Sequence, residues 1–327
     1  MTHLERIFTA LDGKYPDQVP IALWRHFPIA DQTAEGLSRA TLNFQKQFGF
    51  DLVKVTPAAG YMAEAWGARL TPKNNDEGTR DYLTRVINSE KDWRSLKKLE
   101  VTQGILGREL QALHLIRQEI QTDTPVLQTI FSPLGTVRNL AGDRFLEDLR
   151  THPNDLHVAL DMITQTTIGF AKKNIEIGAD GVFFAVQLAS YDILTEAEYR
   201  TFGAVYDWHV LDALKDHAQL ILLHVHGLNI MFDLLKEYPV HMINWHDRRT
   251  APSLAEAQKH FKGIVAGGLN EWDVLQKGTP EAVRAQVKET FDQTKGLRVM
   301  IAPGCVVPID APEENIKAAS RAVREFS

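Results

Sequence analysis

The stretch LILLHVHG, Leu220 to Gly227, is an apolar run that stops at two histidines set either side of one valine. An apolar run without polar alternation suits a strand buried on both faces, as in a parallel sheet covered by helices. Seven other short, β-rich runs recur, most of them of this character: VPIALW from Val19, DLVKVTP from Asp51, VLQTIFS from Val126, GVFFAV from Gly181, HMINWH from His241, GIVAGGL from Gly263 and RVMIAPG from Arg298. Segments of helical period lie between them, among them Glu198–His217 and Thr279–Lys295. The latter opens with Thr279 as N-cap, Pro280 at the first helical position and Glu281 in the first turn, and Pro312, Glu313 and Glu314 repeat that opening near the C-terminus. Eight strands alternating with helices predict an α/β fold, a single-domain (β/α)8 TIM barrel over residues 1–327.

Two segments exceed a minimal barrel. Residues 61–99, which include the polar TPKNNDEGTRDYLTRVINSE from Thr71, read as a hairpin-like excursion after the second strand. The loop QLASYDILTEAEYR, Gln187 to Arg200, is long enough for a lid or a substrate wall. No internal repeat, low-complexity tract or linker divides the chain.

Composition narrows the function classes. With 44% hydrophobic and 24% charged residues, the 327-residue chain is of globular type. Its 36 basic against 42 acidic residues, net −6, carry no long run of either sign, which argues against a nucleic-acid footprint. Charges interrupt the N-terminal twenty residues where a signal peptide needs an apolar centre, and no segment has the length of a membrane span, so a cytoplasmic protein is expected. The single cysteine, Cys305, suits a reducing compartment and is either an inert core thiol or a chemical group.

In a barrel the active site lies at the C-terminal ends of the strands. There the chain delivers Arg25 and His26, Tyr61, Ser132, Gln187, His224 with His226, then Asn244, His246 and Asp247, then Asn270, and finally Cys305. Side chains two apart on a strand share a face, so His224 and His226 point to one side while Val225 points to the other. Gly304 allows a tight turn that aims Cys305 at the same interior. Two imidazoles and a thiolate suit zinc, with the fourth position filled by Asp247 or His246, by water or by a substrate thiol. Each residue alone has a plainer reading, as a hydrogen-bonded packing histidine or a buried thiol. Tyr61, Gln187, Asn270 and Arg25 are the expected substrate contacts, and Arg25 is either an anion clamp or scaffolding paired with a carboxylate. The glycines of GGL, Gly267 to Leu269, make room for a neighbour rather than cradle a phosphate.

Four stretches, ERIFTALDGKYPDQVPIALWRH, IFSPLGTVRNLAG, LILLHVHGLNIMFDLLKEYPVHMINWHDRRTAPSLAEA and APGCVVPIDAPEENIKAASRAVRE, resemble in order the pattern of the uroporphyrinogen decarboxylase superfamily. The resemblance spans nearly the whole chain and implies a (β/α)8 barrel. True decarboxylases of that superfamily use no metal and hold a tetrapyrrole with arginines, an aspartate, a tyrosine and a histidine. Here Arg25 matches the first arginine, but the second is missing, no aspartate follows DLVKVTP, Arg138 or Asn139 stands at the tyrosine position, and Cys305 replaces the late histidine. The methyltransferase relatives fit better. Their His-x-Cys pair becomes His224 and His226, and their late Gly-Cys turn is Gly304–Cys305.

That branch implies a zinc-dependent enzyme that moves a methyl group from a methylated corrinoid, carried on a partner protein, to a zinc-activated thiol. Asp247 would hold the metal in the resting state, and Arg25 and Asp247 are the catalytic candidates. Exchanging a thiolate for His226 lowers the negative charge on the metal and makes it a stronger Lewis acid. Two other readings stay open: decarboxylation of uroporphyrinogen or related metal-free chemistry on a tetrapyrrole, and a non-catalytic corrinoid- or tetrapyrrole-binding barrel. The oligomeric state is open, a homodimer included.

Overall fold

The computed structural model describes residues 1–72, 75–120 and 123–327. Seven of the eight expected runs form one all-parallel sheet. Its strands are β1 (Val53–Val55), β4 (Val126–Phe131), β5 (Gly181–Val186), β6 (Leu220–Val225), β7 (Met242–Trp245), β8 (Ile264–Leu269) and β9 (Val299–Pro303), each paired with the next in chain order. Every residue of these strands is buried, as sheets covered on both faces require. The remaining strands, β2 (Arg69–Leu70) and β3 (Tyr82–Thr84), make an antiparallel pair within the expected excursion. Lys73 and Asn74 of that excursion lie outside the described residues.

The first expected strand, from Val19, departs from the reading. It forms no ladder and makes one parallel bridge, Ile21 to Ile301 on β9. Ala22 N–H donates to Ile301 O at 3.0 Å and Ile301 N–H to Pro20 O at 2.9 Å. On the opposite side Asp51 N–H donates to Ile21 O at 2.8 Å, but the Ile21 N–H is taken by the Asp51 carboxylate, also at 2.8 Å. A side chain thus occupies the donor that a neighbouring strand would use, and Pro20 has no N–H to offer. Asp51 is itself held by Arg6 at 2.5 Å and by His3 at 2.7 Å, which ties the N-terminal helix His3–Leu11 beneath the sheet. A full eight-stranded ladder is therefore replaced by seven strands and a bridging segment.

Helices cover the outer face. Pro280–Thr294 starts on Thr279, whose hydroxyl accepts from Ala282 N–H, and the last helix, Glu313–Phe326, starts directly after Pro312. The expected helix from Glu198 is broken by a wider turn: Glu196–Tyr199 runs into a π-helical turn, Arg200–Ala204, and then into Val205–Asp212. Gly203 sits where a Cβ would lie 2.4 Å from the Tyr199 ring, so the wide turn and the glycine together accommodate that ring. The Gln187–Arg200 loop is anchored by a bridge from Ser190 to Ile230 and by Tyr191 N–H donating to Asn229 O at 3.0 Å.

Candidate metal centre

The C-terminal ends of β6, β7 and β9 converge on one cluster. His224 is the penultimate residue of β6 and His226 follows its end, so both side chains reach one cavity while Val225 packs fully buried on the other side. Cys305 lies two residues beyond β9. The ligand atoms of His224, His226 and Cys305 all lie within 4.8 Å of one another. Cys305 Sγ is 3.7 Å from His224 Nε2 and 3.7 Å from His226 Nδ1. His246, just past β7, brings its Nε2 to 3.4 Å from His226 Nδ1.

Each buried imidazole is oriented from behind. Asn244 lies beside His224 in the β6–β7 register, and its Oδ1 is 2.6 Å from His224 Nδ1. The Asn244 amide donates to Ala266 O at 2.8 Å and Pro303 O at 3.0 Å, which fixes the oxygen as the atom facing the ring. His224 Nδ1 therefore carries the proton and Nε2 points a lone pair at the sulfur. Glu271 Oε1 holds His246 Nδ1 at 2.8 Å in the same way. Gly304 makes this approach possible, because a Cβ there would sit 2.9 Å from Glu271 Oε2 and 2.9 Å from His246 Cα.

The charges follow from this packing. Burial pushes the Cys305 thiol up, yet its contacts with His224, His226 and His246 outweigh burial and hold it well below the usual thiol range. Burial opposes the charged form of His246, while Cys305 and Glu271 together raise it to about 10. His224 is lowered by burial despite Cys305.

The cluster forms one wall of a cavity of about 170 Å³. Trp24, Phe131 and Phe183 supply apolar walls, and Gln187 lines it as well. Other expected site residues lie elsewhere. Alternation along the Val19 segment turns Trp24 and His26 to the cavity and Arg25 to the helix layer, where its guanidinium sits 5.2 Å from the Phe44 ring centroid and donates to Ile309 O. Tyr61 is fully buried with its hydroxyl donating to Thr129 O at 2.9 Å, a packing role. Asn270 caps the turn Glu271–Gln276 by accepting from Trp272 and Asp273 N–H. Asp247 points to β8, accepting from Gly268 N–H at 3.0 Å, and burial raises it to about 6. Gly267 gives it room, since a Cβ there would lie 2.4 Å from Asp247 Oδ1.

Three charged cavity or cluster residues escaped the sequence reading, Lys54, Glu77 and Glu271, as did the aromatic walls Trp24, Phe131 and Phe183. Lys54 sits on β1 between Val53 and Val55, and this alternation alone is the signal that one face of the strand differs from the other. Glu77 belongs to a polar stretch that reads as surface loop, and Glu271 becomes meaningful only beside His246.

A parallel α/β sheet with imidazoles and a thiol gathered at its strand ends defines a barrel-like protein with a candidate metal centre. The chain belongs to the uroporphyrinogen decarboxylase (URO-D) family, whose pattern matches residues 2–326. It is 22% identical to the methylcobamide:CoM methyltransferase MtbA of Methanosarcina acetivorans, across 99% of this chain and 98% of that protein. A uroporphyrinogen decarboxylase of Christiangramia forsetii is 27% identical across only 44% of this chain and 43% of its own length. Among solved structures, a methyltransferase from Methanosarcina mazei superposes with a TM-score of 0.83 at 21% identity, covering 100% of this chain and 99% of that one. Within the superfamily the chain stands with the methyltransferase branch.

Proposed function

We propose that this protein is a zinc-dependent methyltransferase that passes a methyl group from a methylated corrinoid, carried on a partner protein, to a small thiol. The observation that carries the proposal is the cluster of His224, His226 and Cys305 with His246 behind it. Zinc bonds of about 2.0–2.1 Å to nitrogen and about 2.3 Å to sulfur set tetrahedral edges of about 3.3–3.4 Å for N···N and about 3.5–3.6 Å for S···N. The His226–His246 separation of 3.4 Å falls in that range, and the Cys305–His224 and Cys305–His226 separations, 3.7 Å each, lie about 0.1 Å beyond it. His224 Nε2, His226 Nδ1 and Cys305 Sγ would hold the ion. His246 Nε2, rather than Asp247, would complete the resting set and yield to substrate. When bound, zinc supplies Lewis acidity that favours thiolate over thiol at neutral pH.

The chain's own groups prepare this chemistry. Asn244 keeps His224 in the tautomer whose free lone pair faces the cluster, and Glu271 holds the His246 Nδ1 proton so that Nε2 would offer a lone pair once its own proton leaves on metal binding. Trp24, Phe131 and Phe183 exclude water from the reacting sulfur. A cavity of about 170 Å³ is close to the ~150 Å³ that accommodates benzene in an engineered core, so a thiol enters and a corrinoid stays at the mouth. Decarboxylation loses its anion clamp, because Arg25 faces the helix layer. We further read the seven strands and the bridging Val19 segment as a (β/α)8-type barrel acting as one domain.

The test is zinc analysis of the purified protein joined to an assay with methylcobalamin and a small thiol. About one zinc per chain, loss of zinc in Cys305→Ser, and zinc-dependent formation of the methyl thioether are expected. A protein that remains metal-free with zinc in excess, or that leaves methylcobalamin intact when loaded, overturns the proposal.

A further inference from the structure

The cavity beside the cluster holds a lysine and a glutamate that form no ion pair with each other or with another side chain among the described residues, though both feel the Cys305 sulfur. Lys54 is buried on β1, and its ammonium meets only the Thr56 hydroxyl at 3.2 Å and the Phe183 ring face, 4.5 Å from the centroid. No carboxylate lies within 4.0 Å of it among the described residues. Glu77 lines the same cavity, is half-buried, and has no hydrogen bond or ion pair among the described residues. A charge removed from water without a partner is costly, and such a group is retained where a ligand supplies the partner. Burial lowers Lys54 to about 7 against the pull of Cys305, and burial together with Cys305 raises Glu77, so an oppositely charged ligand group would restore the charged form of each.

We infer that the thiol acceptor is a small zwitterion, an amino-acid thiol whose carboxylate is received by Lys54 and whose ammonium is received by Glu77, with its sulfur directed to the histidine–cysteine cluster. This inference rests on the thiol-acceptor reading above and names its substrate class. A purely anionic thiol satisfies Lys54 and leaves Glu77 facing like charge. A purely cationic thiol does the reverse. The apolar walls of Trp24, Phe131 and Phe183 pack the short carbon chain between the charged ends.

Titration calorimetry of the zinc-loaded protein with four thiols tests this: homocysteine, 3-mercaptopropionate, cysteamine and 2-mercaptoethanol. Homocysteine should bind at least tenfold more tightly than either singly charged thiol, and these more tightly than the neutral one. Lys54→Met should weaken homocysteine and 3-mercaptopropionate about tenfold or more and leave cysteamine unchanged. Glu77→Gln should weaken homocysteine and cysteamine and spare 3-mercaptopropionate. Zinc content and the thermal unfolding curve verify that each variant is folded. If Lys54→Met does not fold, the wild-type ranking and Glu77→Gln still decide. A 3-mercaptopropionate affinity equal to that of homocysteine, or a ranking unmoved by the substitutions, overturns the zwitterion assignment while leaving thiol binding intact. Absence of binding by all four thiols to zinc-loaded protein overturns the thiol-acceptor reading itself.

Discussion

At the scale of single residues, the centre depends on what stands behind the ligands. Asn244 touches no cavity space of its own, yet it fixes the His224 tautomer through a 2.6 Å contact and is held by two carbonyls. Asn244→Ala is expected to lower zinc affinity by about 10- to 100-fold, as competition with a chromophoric chelator would read, and to destabilise the metal-free protein by about 1–3 kcal/mol because buried carbonyls lose their donor. An unchanged affinity would mean that the ring is oriented by packing alone. The gathering of His224, His226 and Cys305 was legible in the sequence, because the two-residue spacing of the histidines and the glycine before Cys305 are local features. Arg25 was not, since a strand-end arginine can face either layer, and only the observed alternation, with Trp24 and His26 inward, shows which. Lys54 hid for a related reason: one lysine in an apolar run reads as a solvent-facing residue until both faces of the strand are known to be covered.

At the scale of elements, the Val19 segment shows how a side chain can finish a sheet. Asp51 receives the Ile21 N–H and two basic side chains at once, so it joins the first segment, β1 and the N-terminal helix. Asp51→Ala should destabilise the protein by about 3 kcal/mol, the lower end for breaking a buried ion pair, because Arg6 keeps Asp17 as a partner. Asp51→Asn, which preserves an acceptor for Ile21, should cost less, and urea unfolding of the two variants separates the charge from the hydrogen bond. Equal losses would place the whole effect in the charge. Seven strands were readable because most are continuous apolar runs and each is bounded by loop residues. The eighth looked the same in sequence but contains Pro20 and leans on an aspartate thirty residues away, a long-range substitution that periodicity does not encode. The wide turn at Arg200–Ala204 was likewise invisible, since it depends on how the Tyr199 ring meets Gly203.

At the scale of the whole molecule, the three sulfur and imidazole positions come from the ends of β6 and β9, and His246 from the end of β7, so an ion held there would cross-link strands distant in sequence. Loading with zinc at about 100 times its dissociation constant should add about 2.7 kcal/mol of stability, seen as a rise of several degrees in the thermal midpoint that a chelator reverses. The rise should shrink from pH 8 to pH 6, because the ligands must shed protons to bind. A midpoint indifferent to zinc would show that the cluster does not hold it in the folded state.

Apart from Phe183, Ala185 and Gln187, the cavity and cluster residues fall into two groups along the chain. His224, His226, His246, Glu271 and Cys305 all follow residue 220, whereas Trp24, His26, Lys54, Glu77 and Phe131 all precede residue 132. On the proposed reading, the reactive groups would lie in the second half of the chain and the groups that meet the acceptor's charged ends in the first. A crossover between relatives in the helical region 153–176 would exchange Lys54 and Glu77 while keeping the histidine–cysteine cluster whole, with Phe183 and Gln187 staying on the cluster's side of the join.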